Sequence, residues 1–128
     1  MNAATLSPAA TTARRVTRYD TVVIGGGQAG LAVGHHLAKH DLDFVILDAG
    51  SRVGDSWRRR WDSLRLFTPA RYSGLPGMTF PDSPAHLPDK DQVADYFERY
   101  AERFELPVRL NTQVTSLRAV GKEFVLET

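Results

Sequence analysis

A chain of 128 residues with 42% hydrophobic and 24% charged residues has the composition of one modest globular domain rather than of a disordered segment. Its formal charge of +1 provides no basic surface for a nucleic acid, and the absence of cysteine removes disulfides, thiolate metal sites and redox thiol pairs from these residues. Apolar runs such as Phe44 to Leu47 fall far short of the roughly 20 residues that span a bilayer, so the expectation is a cytoplasmic protein with no membrane or nucleic-acid partner and no metal.

Met1 to Arg18 contains no acid and is rich in Ala and Thr, which reads as a solvated tail rather than a targeting peptide because no apolar face develops along it. Residues 19–128 read as the folded domain. Thr21 to Ile24 is β-branched and apolar, as a strand buried on both faces of a parallel sheet must be. Helical spacing begins near Gln28, runs through Ala29, Leu31, Ala32, Val33 and Leu37, and closes at His40-Asp41. Asp43 to Asp48 predicts a second buried strand, so the order is strand, helix, strand.

Ala49 to Pro88 shows no periodicity and holds Pro69, Pro76, Pro81, Pro84 and Pro88, yet its Trp57, Trp61, Phe67 and Tyr72 favour an ordered, functional loop. From Asp89 to Phe104, Val93, Tyr96, Phe97, Tyr100 and Phe104 recur at helical spacing opposite Asp95, Glu98, Arg99, Glu102 and Arg103. This is an amphipathic helix with Asp89 as its N-cap and the aromatic stripe as core. Pro107 to Leu110 predicts a short strand, and Gln113 to Ala119 and Glu123 to Thr128 predict two more around a turn at Gly121.

The chemistry concentrates at Gly25-Gly26-Gly27-Gln28-Ala29-Gly30, a G-x-G-x-x-G set between a strand and a helix. Gly25 permits the tight turn, Gly27 lets backbone approach a pyrophosphate, and Gly30 lets the helix pack closely on the sheet. Gly34 keeps the same helix face small. The helix tip at Gln28 and Ala29 then aims free N–H groups and the positive end of its dipole at a diphosphate. Asp48 follows about twenty residues beyond the motif, at a strand end where a carboxylate accepts hydrogen bonds from ribose hydroxyls and repels a 2′-phosphate. These features predict an α/β, Rossmann-like βαβ domain that binds a dinucleotide without a 2′-phosphate. FAD and NAD both satisfy them.

Val22 to Leu31, followed by Leu47 to Arg58, resembles the N-terminal FAD module of the flavin-containing monooxygenases, a group that takes in relatives of the Baeyer–Villiger enzymes and of the plant auxin-forming monooxygenases. The likeness continues through Trp61 to Pro69, Gly74 to Met78 and Asp89 to Tyr96. The resemblance implies FAD as the cofactor, with Gly25, Gly27, Gln28, Ala29 and Gly30 at the pyrophosphate and Asp48 and Ala49 at the adenosine ribose. Gly54, Ser56 and Trp57 would lie beside the cofactor with Arg58 close by, and the Val114 backbone would approach the adenine. In this family NADPH reduces the flavin, O2 adds to it, and a small molecule carrying a soft nucleophile or a carbonyl is oxygenated. The NADPH site is expected outside this chain, and no catalytic residue is assigned within it.

Two positions depart from the family pattern. Asp55 stands where a second Gly is common, and Phe67 where animal-type enzymes often carry Asn. For Trp57 and Trp61, loop-anchoring and flavin contact remain equal readings, while His35 and His36 read as surface or packing residues. The chain ends after the second strand of what resembles a three-stranded antiparallel meander, so the domain is expected to be incomplete at its C-terminus. Two alternatives stay open: a non-catalytic nucleotide-binding fragment, and part of a pyridine nucleotide-disulfide reductase-like flavoenzyme.

Overall fold

The computed structural model describes residues 14–128; the rest of the expected tail, residues 1–13, lies outside the described residues. Strands β1 (Thr21–Ile24) and β2 (Phe44–Leu47) pair in parallel, in the register Thr21↔Phe44 to Ile24↔Leu47. Parallel neighbours need a crossover, and helix α1 (Gln28–Ala38) supplies it. That helix sits so close to the sheet that a Cβ on Gly34 would come within 2.7 Å of Ile46 Cδ1.

A third strand, β3 (Val108–Arg109), pairs in parallel with the other edge of β2. The sheet order is β1-β2-β3, which makes β2 the central strand and accounts for its run of four buried residues. The long connection between β2 and β3 contains the single-turn helix α2 (Asp55–Arg58), a 3-10 turn at Ala70–Tyr72 and the helix α3 (Lys90–Arg103). Sequence reading identified neither of the two short elements, because one turn of helix carries no periodicity to detect.

Asp89 does cap α3. Its side chain accepts the Gln92 N–H at 2.9 Å while Gln92 Oε1 accepts the Asp89 N–H at 2.9 Å, a reciprocal capping box. The stripe Val93, Tyr96, Phe97 and Tyr100 is buried in one core with Leu31, Ile46 and Leu106. His35 packs edge-on against Phe104, with 4.3 Å between ring centroids, and burial holds its imidazole pKa below the ordinary value.

The aperiodic segment is held by the tyrosines of α3 rather than by secondary structure. Tyr96 Oη accepts the Leu75 N–H at 2.7 Å and donates to the Met78 carbonyl at 2.5 Å, and Tyr100 donates to the Pro76 carbonyl at 2.6 Å. Burial pushes the Tyr100 phenol up to about 12, so it remains a donor across the working range. Further along, Leu66 N–H bonds Pro88 O and Ala70 N–H bonds His86 O, both at 2.8 Å, so the two ends of the loop run side by side. Trp57 packs edge-on against Phe97 at 6.4 Å, whereas Trp61 is 61% exposed and Phe67 96% exposed, so Trp61 does not anchor the loop.

Strands β4 (Ser116–Val120) and β5 (Glu123–Glu127) form a separate antiparallel pair around Gly121. The expected strand at Gln113 begins three residues late because the chain before it is drawn elsewhere. Asn111 N–H bonds Gly50 O and Thr112 N–H bonds Asp48 O, both at 2.9 Å, and Asn111 takes a φ of 51°. Arg18 Nη1 donates to Glu123 Oε1 at 2.6 Å. Among the described residues, no helix is long and apolar enough to cross a membrane.

Replacing Tyr96 with Phe preserves the packed ring and strands the Leu75 N–H and the Met78 carbonyl. The expected loss is about 1–3 kcal/mol in a urea unfolding titration. A variant as stable as the parent would show that these two groups find other partners.

Candidate functional site

The C-terminal ends of β1 and β2 open into a cleft of about 400 Å³ whose walls include Gly25, Gly26, Asp48, Ala49, Gly50, Arg52, Gly54, Ser56 and Val114. Ligands of open α/β sheets bind at this end of the strands, where the turn from β1 meets the start of α1. The turn needs Gly25, whose φ is +100° and whose N–H bonds Leu47 O at 2.8 Å. Gly30 carries a second constraint: a Cβ there would stand 1.9 Å from the Gly25 carbonyl oxygen, so only glycine lets α1 begin so close to the turn.

The tip of α1 is left bare. Its N-cap, Gly27, makes no side-chain cap hydrogen bond, the first turn holds no acidic residue, and a Cβ on Gly27 would meet nothing within 4 Å. The contrast with the fully capped α3 is direct. An α-helix leaves its first N–H groups without intrahelical partners, so this tip presents donors and positive dipole to open space.

Across the turn, Asp48 is held in place by backbone. Gly26 N–H donates to Asp48 Oδ2 and Gly50 N–H to Oδ1, each at 2.7 Å. A Cβ on Gly26 would come to 3.0 Å from Oδ2 and one on Gly50 to 2.9 Å from Oδ1, so glycine on both sides gives the carboxylate its room. Each oxygen retains lone-pair capacity for a hydroxyl.

The opposite wall, residues 49–59, is docked onto α3. Gly54 has a φ of +90°, and a Cβ on it would lie 2.7 Å from Ala94 O, so the two backbones meet there. Arg52 donates from Nε and Nη2 to the two oxygens of Glu98 at 2.5 and 2.7 Å. Arg58 donates to the Val53 carbonyl at 2.7 Å and to Asp55 and Asp95 at 3.3 Å, and Lys90 Nζ donates to the Arg58 carbonyl at 3.0 Å. Lys90, Ala94 and Glu98 recur every fourth residue and so share one face of α3.

The geometry therefore brings together Gly25, Asp48, Ala49, Gly54, Ser56 and Val114 around one cleft, with Gly27, Gln28, Ala29 and Gly30 at the adjoining helix tip. Trp57 and Arg58 are directed to α3 instead. Gly26, Gly50, Arg52, Arg59, Thr112 and Gln113 also line the cleft and were missed from sequence, as was the part Asp55 plays there. Arg52 finds Glu98 46 residues away, a pairing that no local motif announces.

A family of pyridine nucleotide-disulphide oxidoreductases matches residues 22–128. The chain belongs to this family. Within it the chain is a flavin monooxygenase-type member that matches the N-terminal part of its relatives. A flavin-containing monooxygenase from Stenotrophomonas maltophilia superposes with a TM-score of 0.79 at 38% identity, over 84% of this chain and 33% of that one. The oxidoreductase CzcO of Bacillus velezensis is 47% identical over 110 residues, covering 86% of this chain and 32% of its own length. A probable indole-3-pyruvate monooxygenase of Arabidopsis thaliana, YUCCA9, is 36% identical over 98 residues, covering 76% of this chain and 23% of that protein. The chain thus spans about a third or less of the length of the relatives it matches.

Glu98, on α3, is tied to the cleft wall through Arg52. Its hydrogen bonds from Arg52, followed by the charge of the same guanidinium, hold its carboxyl below the ordinary glutamate range. A carboxyl depressed in the folded state contributes stability above its unfolded pKa of about 4.3 and loses that contribution as pH falls through the lower, folded value. Thermal midpoints taken from pH 6 down to pH 3 should therefore fall more steeply below about pH 4 for the parent than for Glu98→Gln. Parallel curves would remove the pair from the pH response.

Proposed function

We propose that this chain is the FAD-binding part of an NADPH-using flavin monooxygenase. The observation that carries the reading is the Asp48 carboxylate fixed by two backbone amides beside an uncapped helix tip. The residues present fit the cofactor. The open space over Gly27 admits a diphosphate to the first-turn amides of α1, and Asp48 has acceptor capacity for the ribose hydroxyls.

In this reading Gly25, Gly27, Gln28, Ala29 and Gly30 form the pyrophosphate cradle, and Asp48 with Ala49 holds the adenosine ribose. The wall at Gly54 and Ser56 flanks the cofactor while Val114 closes the adenine end. Trp57 and Arg58 serve indirectly, by docking that wall onto α3. Bound FAD supplies the redox and oxygen chemistry, and these residues bind it, orient it and shield its adenosine half from water. The sites for NADPH and for the small-molecule substrate belong to segments other than residues 1–128. The monooxygenase relatives at 36% and 38% identity favour this reading over other dinucleotide enzymes.

In the full-length protein, Asp48→Ala removes both ribose acceptors and frees the Gly26 and Gly50 amides. A charged hydrogen bond of this kind contributes about 1.5–3 kcal/mol, so losing even one of the two should leave FAD retained at least about tenfold to hundredfold less tightly. Flavin absorbance per protein after gel filtration measures it. Full flavin occupancy in the variant would refute the role given to Asp48.

A further inference from the structure

A cleft that holds an adenosine ribose must also deal with the phosphate that some dinucleotides carry on the 2′-hydroxyl, and such sites accommodate it with an arginine near the ribose. This chain has one. Arg52 lines the cleft together with Asp48, Ala49 and Gly50. Its guanidinium, however, is turned onto Glu98, with Nε and Nη2 donating in parallel to the two carboxylate oxygens at 2.5 and 2.7 Å. This fork-on-fork geometry is the one an arginine would use on a phosphate, so a single guanidinium cannot serve both partners with the same two N–H groups.

Glu98 is itself held from a second side. Arg58 Nη2 lies 3.8 Å from Glu98 Oε1 while also donating to Asp95, and Glu98 is the less exposed member of its pair with Arg52, at 27% against 55%. The wall has ties to α3 and within itself besides the Arg52–Glu98 pair. The Gly54–Ala94 backbone approach, the Arg58 bond to the Val53 carbonyl and the Lys90 bond to the Arg58 carbonyl all remain without it.

We propose that Glu98 is a specificity-determining residue which, by engaging Arg52 through the forked Nε and Nη2 donors, makes the cleft accept adenosine with a free 2′-hydroxyl and reject a 2′-phosphate. The inference rests on the dinucleotide reading above and deepens it. Asp48 repels the extra phosphate directly, and Glu98 withholds the cation that would compensate. Glu98 touches no ligand, so it acts as a positioning residue through Arg52.

The probes are ADP and adenosine 2′,5′-bisphosphate, titrated calorimetrically at low ionic strength against the nucleotide-free full chain. The parent should prefer ADP. In Glu98→Gln, which keeps the side chain's size and one acceptor oxygen, that preference should fall about tenfold as Arg52 is released toward the 2′-phosphate. Adding Arg52→Ala to Glu98→Gln should restore the parental preference, a result that a merely structural effect of residue 98 would not produce. Circular dichroism checks that each variant is folded. An unchanged preference in Glu98→Gln, or a changed one that survives Arg52→Ala, overturns the role of Glu98 and leaves the dinucleotide reading intact. If ADP does not bind the parent at all, the dinucleotide reading fails and this inference falls with it.

Discussion

The side chain of Asp48 sits between two glycine amides, and much of the surrounding architecture exists to keep it there. Its oxygens take the N–H groups of Gly26, in the turn after β1, and of Gly50, in the loop after β2. One carboxylate therefore ties together the two strand ends between which the cleft opens. The same residue is fixed through its backbone, since its N–H bonds Arg109 O at 3.0 Å and its carbonyl accepts Thr112 N–H at 2.9 Å. The short parallel strand β3 and the chain that follows it are thereby secured to the cleft floor. A carboxylate so placed is oriented before any ligand arrives, which removes a cost of ordering it on binding.

The second constraint comes from α3, which performs three tasks with two faces. Its aromatic stripe fills the core, its tyrosine hydroxyls hold the backbone of 75–78, and the face bearing Lys90, Ala94 and Glu98 docks the cleft wall. The proline-rich connection contributes Val53, Ala70, Leu75 and Phe80 to that core, yet much of its backbone lies outside helices and strands. It is ordered because an adjacent helix satisfies its polar backbone groups, which would otherwise be costly to leave unpaired. The helix tip at α1 follows the opposite logic: it lacks a side-chain cap, and the space over Gly27 is open.

The parallel βαβ core could be read from the residues alone, because β-branched runs at Thr21 and Phe44 and helical spacing between them leave few other arrangements. Asp89 was legible as a cap for the same reason: a short acidic side chain preceding a strong amphipathic period has one common use. Within the site, the glycines and Asp48 stood out as a motif whose spacing is set by the ligand. Arg52 and Glu98 did not, since their meeting depends on how a long loop folds back onto α3. Gln113 was hidden at the start of an expected strand, and Thr112 just before it, where the backbone is drawn to Asp48. Trp61, read equally as a loop anchor or a flavin contact, is left exposed by the fold, which removes the anchor reading.

The central claim is that bare amides at the tip of α1 receive a diphosphate while Asp48 receives the attached sugar. Amide chemical shifts in the 15N-labelled chain, followed during titration first with adenosine and then with ADP, test it most directly. Adenosine should perturb Gly26, Gly50 and Val114, and ADP should add large downfield shifts at Gly27, Gln28 and Ala29, where phosphate oxygens accept the N–H groups. Shifts clustered away from the β1–α1 turn, or identical for the two ligands, would contradict it.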